Sequence, residues 1–403
     1  MFLIKANYFH YLSSVLGYIN VTIFEGEMPR VVSKNLFDFK AAGKLDDDVQ
    51  AMQEEEKAAS ESPEGVEMVK RMTELQEKND YESNKEYVSI LRAACAPYAD
   101  LLKACSKYQE SAEQTITTTL TVPTAHDGDF NVPVSVYTPR ELQNQTKNVA
   151  FIYAHGGGGV AMSADDFDVL LKFYAVQLNV VVFNVDYRIA PETKCPNNVK
   201  DFYEVIKYVS QNAESLGVDP SRVVIAGDSG GGYICLGAMV LLSQTNESDL
   251  VKLGIVGVPM VDDYCFSDEL AMTVEERSSA GFMRKVWRDL IAADFEEQKK
   301  SPLLFPGKAS DEVLAKFPPT VILECEFDHY ITEATRLATR LRRAGRLLEF
   351  VVVPGAGHIS SLTPNLRSNE VFFNSLKTVV KEYVHCENSE LTVAIRYEFN
   401  KPV

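Results

Sequence analysis

The chain has 403 residues, of which 46% are hydrophobic and 24% charged, with a formal net charge of −17. That length buries a sizeable core, and that balance belongs to an ordinary folded globular protein rather than a disordered one. A strongly acidic surface repels phosphate backbones and anionic bilayers, so nucleic acid and stable membrane insertion are set aside as partners.

Residues 1–24 are apolar and aromatic but are interrupted by Lys5, Asn7, His10 and Asn20. No signal-peptide core or small-residue cleavage site is present. We expect an arm that packs on the protein, with an N-terminal membrane anchor as the alternative. Lys40–Tyr108 is rich in Ala, Glu, Lys, Leu and Met and nearly free of glycine, so residues 1–114 are expected to form a helical arm or cap.

From Thr115 the texture changes to short β-branched runs alternating with helical spacing. The expected strands are Thr115–Val122, Phe130–Thr138, Val149–His155, Val180–Asp186, Arg222–Gly227, Leu253–Val258, Thr320–Glu324 and Glu349–Pro354. The first two form a hairpin, and the others, separated by helical patterns, imply βαβ crossovers and a mostly parallel sheet. Asn198–Gln211 and Ile331–Ala344 read as helices, the second stopped by Gly345. The stretch from Val258 to Pro318 is too long for a simple connection. Residues 262–305, with a helical run Met283–Ala293 around the sole tryptophan, Trp287, are expected to be a cap insertion in a domain spanning 115–385. In the last segment, 386–403, Val393, Ile395, Tyr397 and Phe399 alternate with other residues as in a half-buried strand. Ile19, Val21 and Ile23 alternate similarly, and pairing of the two segments, within one chain or across a homodimer, is expected.

Seven cysteines, at 95, 105, 195, 235, 265, 325 and 386, show no C-x-x-C spacing. An odd, scattered set argues against a disulfide framework or a zinc site and for a reducing, cytoplasmic setting.

The chemistry-bearing stretch is Ile225-Ala226-Gly227-Asp228-Ser229-Gly230-Gly231-Gly232. An apolar strand runs into Gly-x-Ser-x-Gly and then into helical sequence, the context that holds a serine on a sharp turn as a nucleophile. A serine nucleophile also needs a base, a group that orients the base, and donors for the oxyanion. Asp328 follows the Thr320–Glu324 strand and is the acid candidate, with Glu324 and Glu326 as rivals. His358 follows the last strand through Gly355-Ala356-Gly357 and is the base candidate, with His329 as its competitor. His155-Gly156-Gly157-Gly158-Gly159, directly after a strand, offers backbone N–H groups unobstructed by side chains. A phosphate-binding loop is the rival reading, but neither the Gly-x-x-x-x-Gly-Lys-Ser/Thr pattern nor a dinucleotide-binding fingerprint is present. The N–H of Gly230 is the remaining donor.

Together with Asp186-Tyr187-Arg188-Ile189-Ala190-Pro191-Glu192, Ser301-Pro302-Leu303-Leu304 and Phe317-Pro318-Pro319, these pieces resemble the hormone-sensitive-lipase-like branch of the α/β-hydrolase fold, which includes arylacetamide deacetylases and bacterial esterases. The resemblance covers residues 115–385. It implies an eight-stranded, mostly parallel sheet with helices on both faces and a helical cap. It also implies a Ser229–His358–Asp328 triad, an oxyanion hole of Gly157, Gly158 and Gly230, and His155 with Asp186–Glu192 as structural supports. Hydrolysis of short- to medium-chain or aryl carboxylic esters through an acyl-enzyme, without metal or organic cofactor, is the expected activity. Amide hydrolysis by the same triad is an alternative, as is a non-catalytic receptor on the same scaffold; the latter lacks the histidine that His358 supplies here. Gly230 stands where alanine is usual, which should loosen the elbow slightly. Gly159 stands where an aromatic is common, which should widen the substrate pocket.

Overall fold

The β-branched runs assemble into one sheet of nine strands, ordered β1-β2-β4-β3-β5-β6-β7-β8-β9. In this computed structural model, which describes residues 45–263, 281–358 and 360–385 and the backbone of 394–397, the strands are β1 (Thr115–Pro123), β2 (Asn131–Pro139), β3 (Asn148–Ala154), β4 (Val181–Val185), β5 (Val218–Asp228), β6 (Leu253–Gly257), β7 (Thr320–Phe327), β8 (Leu347–Gly357) and β9 (Ala394–Tyr397). β1 pairs antiparallel with β2, and β2 with β4; every later pairing is parallel. Eight strands match the expected runs.

Every residue of β3, β4 and β6 is buried, as strands covered on both faces must be. The two-residue period then sorts side chains between two cores. Ala150, Ile152 and Ala154 of β3 face one; Val149, Phe151 and Tyr153 face the other. The first core is closed by α6 (Asn197–Gln211), α7 (Gly230–Thr245) and α8 (Ile331–Arg343). The second is closed by α4 (Ser106–Ala112), α5 (Asp168–Leu178) and α9 (Arg367–Val380). The helix α8 ends as expected, with Gly345 at φ +68°.

Ahead of the sheet come α1 (Asp47–Ser60), α2 (Pro63–Gln76) and α3 (Tyr81–Ala104). Asp80 caps α3 by accepting from the Ser83 N–H at 3.0 Å. Leu91, Ala94, Cys95, Tyr98 and Leu102 form its buried stripe at three- and four-residue spacing. Leu91 and Cys95 join the first core, Tyr98 and Leu102 the second, so α3 lies across both. No helix among the described residues is long and apolar enough to cross a membrane.

The Met283–Ala293 run is helical, but Lys285–Ile291 is wound as a π-helix, with the Ala292 N–H donating to Trp287 O at 3.0 Å. The wider turn turns Trp287 edge-on to Tyr233, ring centroids 4.8 Å apart. Lys285 clips this segment to the N-terminal helices. Its buried ammonium donates to Lys78 O and to Asn84 Oδ1, the latter at 2.5 Å, and pairs with Asp289 at 3.2 Å. Lys285→Met should lower stability by about 2–4 kcal/mol, because the buried Asp289 carboxylate loses its ammonium and keeps only Arg288, while Lys78 O and the half-buried Asn84 Oδ1 lose a donor. Thermal unfolding by circular dichroism checks this; an unchanged Tm would show that the clip contributes nothing.

Ala394–Tyr397 is a strand, and it pairs in parallel with β8, Glu349 opposite Ala394 and Val352 opposite Tyr397. The outer edge of β8 offers a free row of backbone donors and acceptors to any extended segment nearby. The expected pairing with residues 19–23 lies outside the described residues, as do the rest of 1–44 and positions 264–280 of the expected insertion.

Candidate active site

Ser229 sits between β5 and α7 at φ 56°, ψ −119°, a conformation that L residues rarely adopt. The glycines around it are sterically required. A Cβ on Gly227 would lie 2.5 Å from Gly231 O, and one on Gly231 would lie 2.0 Å from Ala154 O. The crossing of β5, α7 and β3 is therefore too close for any side chain, and Ser229 is pushed out above the carboxyl edge of the sheet. Its N–H donates to Gly257 O at 2.8 Å, which ties the turn to β6.

His358 Nε2 lies 2.9 Å from Ser229 Oγ, and His358 Nδ1 lies 2.7 Å from Asp328 Oδ2. These three side chains come from the ends of β5, β7 and β8. Asp328 is fully buried in an Asx turn, its Oδ1 accepting from the Tyr330 N–H at 2.8 Å. Burial opposes its ionisation, but the His358 imidazole, the hydrogen bond to it, and His329 outweigh that and hold its pKa below the usual value. The loop carrying His358 is held by hydroxyls. Ser360 Oγ accepts from the Gly357 N–H at 2.8 Å and Ser361 Oγ donates to His358 O at 3.0 Å. Sequence reasoning missed these two serines, although their position just past Gly357-His358, with only Ile359 between, is a usable signal.

The rivals occupy other roles. Glu324 lies within β7, its Oε1 accepting from the Cys325 N–H at 2.9 Å; burial and then the Asp328 charge push its pKa well above the usual range. Glu326 Oε2 accepts from the Gly355 N–H at 2.9 Å and so braces the histidine loop. His329 is buried beside the site, ring centroid 4.6 Å from that of His358, and burial followed by that neighbour lowers its pKa to about 3. His126 and His385 make contacts away from the site, and His10 lies outside the described residues.

The glycine loop after β3 adopts left-handed backbone throughout: φ is +108° at Gly157, +64° at Gly158 and +69° at Gly159. The N–H groups of Gly157, Gly158 and Gly230 have no acceptor among the described residues. Around them the supports are dense. The Tyr187 hydroxyl donates to His155 O at 2.7 Å, the His155 and Tyr187 rings stack at 4.4 Å, and the Ala190 N–H donates to Gly159 O at 2.8 Å. Arg92 of α3 adds a donation to Val160 O at 2.9 Å.

Two expectations about this loop need correcting. A Cβ on Gly159 would face Ile291 Cδ1 at 3.6 Å, and Gly159 does not line the substrate cavity, so its lack of a side chain does not widen that cavity. Gly230 does not merely loosen the elbow: a Cβ there would lie 2.6 Å from both Gly158 N and Gly159 N. The loop is seated in the space an alanine would occupy. Gly230→Ala should therefore displace the Gly158 donor and cut kcat by about 10²–10³-fold. Steady-state kinetics on a chromogenic ester would show it, and unchanged kcat would mean that the loop yields without consequence.

Ser229 and His358 open into a largely apolar cavity of about 90 Å³, walled by Leu91, Cys95 and Tyr98 of α3, by Phe282, and by Tyr330. The contribution of α3 was not read from sequence; the i, i+4, i+7 spacing of Leu91, Cys95 and Tyr98 is the pattern that could have suggested it. The one cluster with metal-ligating spacing among the described residues is Asp328, His329 and His358, with ligand atoms within 4.8 Å of one another. An ion there would break the His358–Asp328 hydrogen bond, so the cluster works either as a ligand set or as a proton relay.

Known proteins share this fold. A family model described as alpha/beta hydrolase fold matches residues 151–361. Carboxylesterase NlhH of Mycobacterium tuberculosis is 39% identical over 240 residues, covering 58% of this chain and 72% of that protein. Arylacetamide deacetylase of Bos taurus is 27% identical over 292 residues, covering 58% of this chain and 73% of that protein. Among solved structures, a bacterial heroin esterase superposes with a TM-score of 0.63 at 27% identity, covering 74% of this chain and 93% of its own.

Proposed function

This chain belongs to the α/β-hydrolase fold family, in its hormone-sensitive-lipase-like branch, and we propose that it hydrolyses carboxylic esters through an acyl-enzyme on Ser229. The observation that carries this reading is the continuous hydrogen-bond relay from Ser229 through His358 to Asp328, ending on a serine in a strained turn. His358 Nε2 takes the Ser229 proton as Oγ attacks the ester carbonyl carbon. Asp328 fixes the imidazole tautomer and stabilises the imidazolium that forms. The tetrahedral oxyanion accepts from the Gly157, Gly158 and Gly230 N–H groups, each worth about 3 kcal/mol in such sites. His358 then protonates the departing alkoxide. A water gives its proton to the same nitrogen, attacks the acyl carbon and releases the acid and Ser229.

The cap in this reading comes from residues 1–114 with the 262–305 insertion, over a body of 115–385 extended by 386–403. Its support is that both parts send side chains, Leu91, Cys95, Tyr98 and Phe282, to the cavity above Ser229. The five described cysteines are all free thiols, which supports a reducing, cytoplasmic setting.

The test is covalent capture. A fluorophosphonate should add once, on Ser229, as read by peptide mass spectrometry, and p-nitrophenyl acetate should give a burst of one equivalent if deacylation is slow. Labelling elsewhere with Ser229 untouched would refute the proposal. Amide hydrolysis by the same groups is the second reading, favoured by the arylacetamide deacetylase relative. Rates on 4-nitroacetanilide against p-nitrophenyl acetate separate the two.

A further inference from the structure

Next to the substrate cavity lies a second one of about 440 Å³, bordered by Arg92, Ala96, Ala99, Lys103 and Asp166. The two have just two lining residues in common, Cys95 and Met162. These side chains therefore stand between them. Met162 carries two further marks. It holds φ +65°, a left-handed backbone that an unbranched non-glycine residue adopts only when its surroundings impose it. It also packs against both hydrophobic cores.

The surroundings that impose this conformation are visible. On one side, the Ala161 N–H donates to Gly157 O at 2.9 Å, closing the turn that carries the oxyanion loop. On the other, the Ser163 N–H donates to Asp166 Oδ2 at 3.0 Å, starting the next helical turn. Met162 is pinned between these two turns with its flexible thioether against both cores, and Cys95 of α3 is the other side chain that lines both cavities. The inner cavity is mostly apolar up to this wall. The outer one is rimmed by ion pairs, Arg92 with Glu192 at 2.7 Å and Lys103 with Asp166 at 3.2 Å.

We propose that Met162 and Cys95 form the end wall of the substrate cavity and so set the longest ester arm this enzyme accepts. The inference rests on the ester-hydrolase reading above. An apolar arm running from Ser229 along α3 ends against the Met162 and Cys95 side chains, and with the wall removed it continues into the outer chamber. Its distal end would then lie among the paired charges, so esters whose arm is apolar near the carbonyl and polar at its tip gain most.

The test uses the full chain and two linear series: p-nitrophenyl esters from acetate to laurate, and acetates of alcohols from ethanol to decanol. Met162→Gly removes the wall and suits the left-handed backbone, which offsets part of the packing the thioether loses, so it should still fold, as a cooperative thermal transition checks. It should move the longest accepted arm by two or more carbons in one series, with kcat/KM rising about fourfold for each methylene that enters the outer chamber. Cys95→Ala should shift the limit in the same series by less. Ala96→Trp, on the exposed side of α3 and at the outer chamber, should return the limit of the Met162→Gly protein to its starting value. An unchanged length limit in both series for Met162→Gly overturns the proposal while leaving the hydrolase reading intact. If no ester of either series were turned over by the parent chain, the hydrolase reading itself would fail, and the wall proposal with it.

Discussion

Ser229→Ala should reduce kcat on p-nitrophenyl butyrate by about 10⁶-fold, the scale seen when the nucleophile of such a relay is removed. The size follows from what is lost. Without Oγ no acyl-enzyme forms, and His358 has no proton to take; what remains is the oxyanion N–H groups holding the ester while water attacks. Residual catalysis of about 10³–10⁴ over the uncatalysed rate is then expected from those donors and from binding alone. His358→Ala should cost nearly as much, and the double variant little more, because the two groups act as one device. Stability should separate from activity. Alanine inherits the φ 56°, ψ −119° turn and relieves nothing, so its Tm should match the parent. Ser229→Gly, equally inactive, should be stabilised by about 1–3 kcal/mol because glycine tolerates that conformation. Retained activity in Ser229→Ala, with contaminating parent enzyme excluded, would remove the serine from the chemistry altogether.

Much of the architecture was legible because the sheet imposes local patterns. Strands buried on both faces read as unbroken apolar runs, as in Val149–Ala154 and Val181–Val185, and the parallel order follows from helices between them. The elbow was legible for a different reason: β5, β3 and α7 approach so closely that only glycine fits at 227 and 231, and such a constraint leaves a mark in sequence. Asp328 and His358 could be named because each follows a strand, and the structure brings both within hydrogen-bonding distance of their neighbours in the relay. Other features are set by distances between elements remote in sequence. The seat of the oxyanion loop against Gly230, the wall at Met162, and the arrival of α3 at the cavity depend on how bodies pack, and no residue type announces them. The π-helix at Lys285–Ile291 belongs here too, since its spacing differs from an α-helix by a single residue per turn. The choice of β8 as the partner of β9 was beyond reach because alternation identifies a strand but not its neighbour.

Asp328→Asn should lower kcat by about 10⁴-fold, with KM changed far less, by analogy with the loss of tautomer control in such relays. An amide at this position can present Nδ2–H to His358, which forces the ring to accept at Nδ1 and leaves Nε2 protonated, facing Ser229 Oγ as a donor. The base is then unable to take the serine proton. Three carboxyls lie within five residues here, and they make the prediction discriminating. Glu324→Gln keeps the acceptor for the Cys325 N–H and replaces a carboxyl whose charged form burial disfavours, so activity should stay within a few-fold. Glu326→Gln retains an oxygen for the Gly355 N–H, at most loosening the His358 loop, and should cost about tenfold or less. The pH profile adds a second readout. Asp328 is ionised below the ordinary carboxylate range because of His358, its hydrogen bond and His329. A group whose folded pKa is depressed contributes stability that is present above its unfolded pKa and is lost as pH falls through the folded one. The parent should therefore lose part of its stability on acidification below about pH 4, and Asp328→Asn should lose less over the same window. A Glu326→Gln protein crippled as badly as Asp328→Asn would move the orienting acid from 328 to 326, despite the 2.7 Å contact between Asp328 and His358.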